Sequence, residues 1–117
     1  YNSNPTSLQA ALEFLAKIPD KRVIAVLGGM RELGEFAREE HQRAIDLMKK
    51  LRLDAWYTTG DGFKDIDGSN YFGDRQKLLE ELFTTALPGD VYLFKGSRME
   101  KMEDIMNEFI RGLEEHS

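Results

Sequence analysis

The most suggestive chemical feature of the sequence is the segment Lys95-Gly96-Ser97-Arg98, which joins an apolar run to a helical pattern. Backbone amides at a helix start, a hydroxyl and two cations together favour the binding of an anion. Ser97 could also be a simple N-cap residue, and capping alone would explain the serine. Capping would not explain two cations at a helix N-terminus, where the helix dipole disfavours positive charge. The segment therefore predicts an anion site made by Lys95, Ser97 and Arg98.

A second feature is the glycine-bracketed segment 28–34, which begins at Gly28 and carries Arg31 and Glu32. It lacks the Lys-Ser/Thr ending of a Walker A loop and the G-x-G-x-x-G spacing of a dinucleotide fingerprint. A tight turn between a strand and a helix explains the segment as well as a ligand site does. The sequence leaves these two interpretations open.

Other polar residues fit structural roles. His41 falls on an apolar helical stripe, which predicts a hydrogen-bonded packing residue. The acidic positions near the end of the chain predict a solvated helix face: Glu100, Glu103, Asp104 and Glu108. No group of His, Asp and Glu has metal-ligand spacing, and no nucleophile, base and acid form an evident set. The sequence therefore predicts no metal ligand and no certain catalytic residue.

Strand and helix patterns alternate along the chain. Asn4 and Pro5 are suited to the cap and first turn of a helix, and Asp74 can cap another. Further helices are predicted at residues 35–52 and after residue 98, the last with Met99, Met102, Ile105, Met106, Phe109, Ile110 and Leu113 facing inward. Continuous apolar runs predict strands at residues 23–27, 55–59 and 91–94, with a short strand at 71–72 and a loop at 60–70.

This alternation predicts an α/β fold with a doubly wound, mainly parallel sheet flanked by helices. Ligands of such sheets bind beyond the carboxyl ends of the strands. Segments 28–34 and 95–98 both follow predicted strands. We therefore expect them to lie on the same rim of the sheet and to present positive charge there.

Composition restricts the class of protein. The 117 residues suit one domain, and 41% hydrophobic with 32% charged residues indicate a globular chain. Sixteen basic and 21 acidic residues give a net charge of −5, which disfavours general nucleic-acid binding. No apolar run approaches the roughly 20 residues of a membrane span. The absence of cysteine fits a cytoplasmic location.

Four motifs in register resemble one family. Tyr1-Asn2-Ser3-Asn4-Pro5 resembles a Y-N-A-N-P motif, and residues 26–34 resemble V-L-G-D-M-x-E-L-G. Pro88-Gly89-Asp90-Val91 and the 95–98 segment resemble P-G-D-V and K-G-S-R, and His41 falls where that family has a histidine. These are motifs of the C-terminal domain of the Mur ligase family, in the branch that adds D-alanyl-D-alanine. Gly29 departs from the pattern, because the family usually has aspartate there.

The resemblance implies that residues 1–117 are the C-terminal domain of a three-domain ligase, inactive in isolation. The chain opens with Tyr1 rather than methionine, as a piece of a longer protein would. The expected substrates are UDP-N-acetylmuramoyl-tripeptide and D-alanyl-D-alanine, joined through an acyl phosphate. ATP and Mg²⁺ would be bound mainly by the protein's own central domain.

The resemblance also implies residue roles. Lys95, Ser97 and Arg98 would hold the carboxylate of the dipeptide. Tyr1, Asn2 and Asn4 would lie beside ATP, and a cleft loop would carry Gly28, Arg31 and Glu32. The alternative is a stand-alone α/β module that binds a small anion or a partner protein. A receiver-type signalling domain is disfavoured, because the predicted strands do not end in an acidic pocket.

Overall fold

The computed structural model describes residues 3–115. Three strands form one parallel sheet in the order β2-β1-β3: β1 is Val23–Gly28, β2 is Ala55–Thr59 and β3 is Val91–Lys95. Four helices flank the sheet: α1 is Pro5–Ala16, α2 is Ala37–Leu51, α3 is Arg75–Thr85 and α4 is Met102–Glu115. The predicted parallel α/β fold is confirmed.

The central strand β1 is buried on both faces, which explains its continuous apolar run. Val23, Ala25 and Leu27 pack into a core with α1 and α2. Ile24 and Val26 point to the other face and pack into a second core with α3 and α4. Successive side chains of a strand point to opposite faces, so a strand between two helical layers has no polar face.

The predicted starts of two helices are confirmed by their hydrogen bonds. The Asn4 side chain accepts a bond from the Ser7 amide at 2.9 Å, the Ser7 side chain bonds back to the Asn4 amide, and Pro5 is the first helical residue. Asp74 accepts bonds from the amides of Gln76 and Lys77. These contacts satisfy amide groups that the helices leave without internal partners.

Two helices begin later than the sequence predicted. A 3₁₀ turn at Gly34–Phe36 precedes α2. A second 3₁₀ turn at Arg98–Glu100 precedes α4, and Lys101 then adopts a left-handed conformation with φ of 51°. The prediction that the 95–98 segment leads directly into an α-helix is therefore wrong.

The predicted burial of α4 and the predicted short strand are both partly wrong. Met99 lies in the 3₁₀ turn and is exposed, and Ile110 and Leu113 are also exposed. At 71–72 the chain forms only an isolated bridge between Tyr71 and Thr58. Within residues 3–115, no helix combines the length and apolar composition needed to cross a membrane.

Candidate functional site

The carboxyl ends of the three strands lie side by side and form one rim of the sheet. Leu27 of β1 is in register with Lys95 of β3, and Gly28 is in register with Thr59 of β2. The loops that follow these strands consequently leave the sheet at the same edge, where parallel α/β sheets bind their ligands.

The loops after β1 and β3 are in direct backbone contact. The Ser97 amide donates a hydrogen bond to the Gly29 carbonyl, with an N–O distance of 3.1 Å. A Cβ atom on Gly96 would lie 2.9 Å from the Cα atom of Gly28, so the backbones could not approach so closely with a larger residue. The structure thus brings the main chain of residues 28–29 and 96–97 together, while the Lys95 side chain lines a separate cleft against α4.

Within the 95–98 segment, the side chains differ in exposure. Lys95 is half-buried at the end of β3, and Arg98 is exposed. Ser97 is only 3% exposed, and its hydroxyl has no hydrogen-bond partner among residues 3–115. Ser97 makes no capping bond, and its amide is already bonded to Gly29, so the predicted helix-start anion site is wrong in that detail. The segment nevertheless carries two cations and a hydroxyl, which are the types of group that bind an anion.

His41 supports the loop after β1. The ring is fully buried; its Nε2 accepts a hydrogen bond from the Met30 amide at 2.9 Å. Nδ1 lies 2.6 Å from the Ala37 carbonyl and must therefore carry the proton that is donated to it. Burial lowers the pKa of His41 below 6.5, outweighing the opposing effect of the Ala37 bond. The predicted packing role of His41 is confirmed.

Glu100 contradicts the predicted solvated acidic face. The residue is 8% exposed, whereas Glu103, Asp104 and Glu108 are exposed as expected. Its Oε2 lies 3.4 Å from Nη2 of Arg31, and its Oε1 lies 3.9 Å from Nη2 of Arg75. Glu100 belongs to the 3₁₀ turn and not to α4, so it does not follow the helical face of the other acids.

Between the loops after β1 and β2 the rim contains a cleft of about 410 Å³. Its lining residues are Met30, Arg31, Glu32, Asp61, Gly62 and Glu100. Arg31 is half-exposed, with a side-chain exposure of 54%. Asp61 was missed by sequence reasoning, although it follows the second predicted strand and could have been suspected from that position.

The start of α1 lies near the same loop. Pro5, Thr6 and Met30 line one small cleft together with residues of α2. Asn4, predicted to lie beside ATP, is exposed, and its side chain caps α1. Tyr1 and Asn2 lie outside the described residues, so their predicted place beside ATP stays a prediction.

A complete site for ATP and Mg²⁺ would contain a cluster of metal ligands and a phosphate-binding loop. Among residues 3–115 no group of three His, Asp or Glu side chains could hold a metal ion. The 117-residue sequence contains no Walker A loop, which is the usual cradle for nucleotide phosphates.

Comparison with known proteins identifies the family and several relatives of this chain. The family model described as Mur ligase, glutamate ligase domain, matches residues 1–98. The UDP-N-acetylmuramoyl-tripeptide–D-alanyl-D-alanine ligase of Synechocystis sp. is 37% identical over 106 residues, covering 83% of this chain and 23% of the relative. The ligase of the same name from Bacillus subtilis is 28% identical over 121 residues, covering 94% of this chain and 26% of the relative.

Solved structures give the same result. The MurF ligase of Thermotoga maritima in complex with ADP superposes with a TM-score of 0.89 at 30% identity, covering 100% of this chain and 28% of that chain. MurF from Acinetobacter baumannii gives 0.81 at 30% identity, covering 95% of this chain and 26% of that chain. This chain thus spans about a quarter of the length of the relatives it matches. Sequence motifs, fold and family model together show that the chain belongs to the Mur ligase C-terminal domain family.

Proposed function

We propose that this chain is the C-terminal domain of an ATP-dependent ligase that joins D-alanyl-D-alanine to UDP-N-acetylmuramoyl-tripeptide. The names of the matched relatives support these substrates. The chain spans only about a quarter of their length, which supports an N-terminal and a central domain upstream. A reaction that consumes ATP and a nucleotide-linked precursor fits a cytoplasmic location.

Within that enzyme, the chain holds the carboxylate of the incoming dipeptide. The observation that carries this proposal is the hydrogen bond between the Ser97 amide and the Gly29 carbonyl, which keeps the 95–98 segment beside the loop of Arg31. Lys95, Ser97 and Arg98 then offer two cations and a hydroxyl, groups that suit a carboxylate. Holding the carboxylate orients the dipeptide amine for attack on the acyl phosphate, so the contribution is positional.

The central domain would bind ATP with Mg²⁺, and this chain would close over the nucleotide. Tyr1, Asn2 and Asn4 would then lie on the ATP side. Arg31 and Glu32 would border the cleft that receives the dipeptide, whereas Gly28, buried at the end of β1, is not among its lining residues. The charge developed on the transferred phosphoryl group would be stabilised by Mg²⁺ in the central domain.

Steady-state kinetics of the full-length protein test the carboxylate site. Lys95→Ala should raise the KM for D-alanyl-D-alanine by roughly ten-fold or more, because a charge-assisted hydrogen bond is lost. The KM for ATP should change little. Lys77→Ala, an exposed cation on α3, is the matched control and should leave both constants unchanged. A wild-type KM for the dipeptide in Lys95→Ala would contradict the proposal.

The chain by itself tests the division of labour between domains. Calorimetry of this chain with Mg-ATP should show weak or undetectable binding, because the phosphate-binding loop would lie in the central domain. Micromolar affinity for ATP would contradict the proposal and favour a self-contained binding module.

A further inference from the structure

We propose that Glu100 is a positioning residue. It holds the guanidinium of Arg31 at the rim in an orientation that binds the carboxylate of D-alanyl-D-alanine. This inference rests on the proposed function. Glu100 lies outside all of the sequence motifs, and the helical pattern predicted that it would be exposed. Three observations support it: the burial and contacts of Glu100, the space left for its side chain, and the charge balance around it.

Glu100 connects three separate parts of the rim. Its side chain is only 10% exposed and lies between Arg31, after β1, and Arg75, the first residue of α3. The Arg75 guanidinium also donates hydrogen bonds to the backbone carbonyls of Glu100 and Lys101. Arg75 therefore holds the 3₁₀ turn after β3 in place. This turn directs the Glu100 carboxylate toward Arg31.

The backbone around Glu100 leaves room for this side chain. Gly60, at the end of β2, has a φ of 90°, and a Cβ atom there would collide with the Glu100 carboxylate. A Cβ atom on Gly28 would lie 2.8 Å from the Cβ atom of Glu100. Glu100 thus packs against Gly28, the last residue of β1, and against Gly60, the residue that follows β2. Main chain at Gly60 therefore borders the carboxylate, and main chain at Gly28 borders the Cβ atom, while the carboxylate oxygens lie within 4 Å of Arg31 and Arg75.

The charges of the cluster do not cancel. The ion-pair cluster has two positive charges, from Arg31 and Arg75, and one negative charge, from Glu100. Glu32 and Asp61 add two negative charges to the cleft lining, so Arg31 is the one cation among its six lining residues. Arg31 is more than half exposed and borders the cleft of the rim, so its outer side can meet an anion while Glu100 holds its inner side. An arginine already held in place loses less side-chain entropy when a ligand binds. Glu100 would therefore strengthen substrate binding without touching the substrate.

A purely structural ion pair would show the same geometry, so the test must separate the two roles. In the full-length protein, Glu100→Gln keeps the shape of the side chain and removes its charge. We expect the KM for D-alanyl-D-alanine to rise roughly three- to ten-fold, with kcat changed less than about two-fold, because uniform binding is weakened. Arg31→Gln should raise the same KM by at least as much. Glu108→Gln, an exposed acid of α4, is the matched control.

The double variant decides between the roles. If Glu100 acts through Arg31, Glu100→Gln should add no further increase to the KM of Arg31→Gln. Multiplying effects in the double variant, or a wild-type KM in Glu100→Gln, would overturn the inference. A wild-type KM in Arg31→Gln would also overturn it, while Lys95→Ala reports separately on the proposed function.

A second variant covers the case in which Glu100→Gln does not fold. Arg31→Lys keeps the positive charge and loses the planar, forked geometry that Glu100 orients. We expect its KM for D-alanyl-D-alanine to approach that of Arg31→Gln. A KM equal to the wild-type value would show that charge without positioning suffices, and the inference would be wrong.

Discussion

The Ser97 amide and the Gly29 carbonyl are joined by a hydrogen bond of 3.1 Å, which ties the loop after β3 to the loop after β1. Both partners are main-chain groups, so this part of the rim does not depend on the side chains at these two positions. The bond lies beside the close approach of Gly96 to Gly28. The spacing of the candidate ligand groups is therefore set by backbone packing, and residues that limit this packing should be sensitive to substitution.

Gly96→Ala is the most direct test of this packing. The added Cβ atom would lie 2.9 Å from Cα and 3.1 Å from N of Gly28, and neither backbone atom can move without shifting β1. We expect a loss of about 1–3 kcal/mol in the free energy of unfolding, as for other overpacked sites, measured by urea denaturation.

Gly73→Ala provides the control for that measurement. The nearest atoms to a Cβ at Gly73 are 3.5 Å away and belong to the Tyr71 ring, which is ordinary contact. The free energy of unfolding should change by less than about 0.5 kcal/mol. Equal losses in the two variants would show that the contact with Gly28 is not the limiting one.

The sequence predicted the sheet well because the central strand is buried throughout and the two outer strands are at least partly buried at every position. Strands at 23–27 and 55–59 differ from the observed bounds by one residue at most. His41 was also predicted correctly, since a histidine on an apolar helical stripe must satisfy its ring nitrogens nearby. Both inferences depend on local periodicity, which the tertiary structure preserved.

The missed features depend on contacts between distant residues. Nothing in the sequence marks the left-handed Lys101, where neither glycine nor proline is present, so the helical pattern was extended through Glu100. Arg75 lies 25 residues from Glu100 in sequence, and only the fold brings their charges together. The candidate cations were visible in the sequence, but the acid that orients one of them was not.

Burial of neutral His41 should make stability depend on pH. The pKa of His41 is below 6.5 in the folded chain because burial disfavours the imidazolium ion. As the pH falls below about 6.5, the unfolded chain takes up a proton that the folded chain does not, so this contribution to stability is present at higher pH and is lost on acidification. Urea denaturation at pH 7.5, 6.5 and 5.5 should show a decreasing free energy of unfolding.

His41→Gln isolates this contribution. The variant should be less stable at pH 7.5 by about 1–3 kcal/mol, because a buried hydrogen-bond network is disturbed. It should also lose less stability than the wild-type chain between pH 7.5 and 5.5. Parallel pH profiles for the two proteins would mean that another group causes the dependence.

At the opposite end of the sheet, Arg22 and Asp90 form an ion pair that should stabilise the fold and leave the rim unaffected. Nη2 of Arg22 lies 2.7 Å from Oδ2 of Asp90, whose side chain is 4% exposed. The hydrogen bond from Arg22 holds the pKa of Asp90 below 3.8. Because the folded-state pKa is lowered, the contribution is present above pH 4 and is lost as the pH falls through the folded-state value.

Arg22→Met should lower the free energy of unfolding by about 1–2 kcal/mol at pH 7, because the Asp90 carboxylate loses its charged partner and keeps only the Leu87 amide and the Tyr92 hydroxyl as donors. Thermal and urea denaturation measure the loss. In the full-length protein the KM for D-alanyl-D-alanine should stay at its wild-type value, since Arg22 precedes β1 and Asp90 precedes β3, away from the rim. A raised KM would indicate that this end of the sheet takes part in binding.

Ser97→Ala separates a ligand-binding hydroxyl from a structural one. The Ser97 hydroxyl has no partner among residues 3–115, and an unpaired buried hydroxyl costs about 1–3 kcal/mol. Its removal should leave the stability of the chain unchanged or slightly higher, while the KM of the full-length protein for D-alanyl-D-alanine rises several-fold.

Ser69→Ala should behave in the opposite way, because that buried hydroxyl donates to the Phe63 carbonyl at 3.3 Å. In Ser69→Ala the free energy of unfolding should fall, and the KM for D-alanyl-D-alanine should not change. An unchanged KM in Ser97→Ala would remove Ser97 from the carboxylate site and leave Lys95 and Arg98 as its proposed ligands.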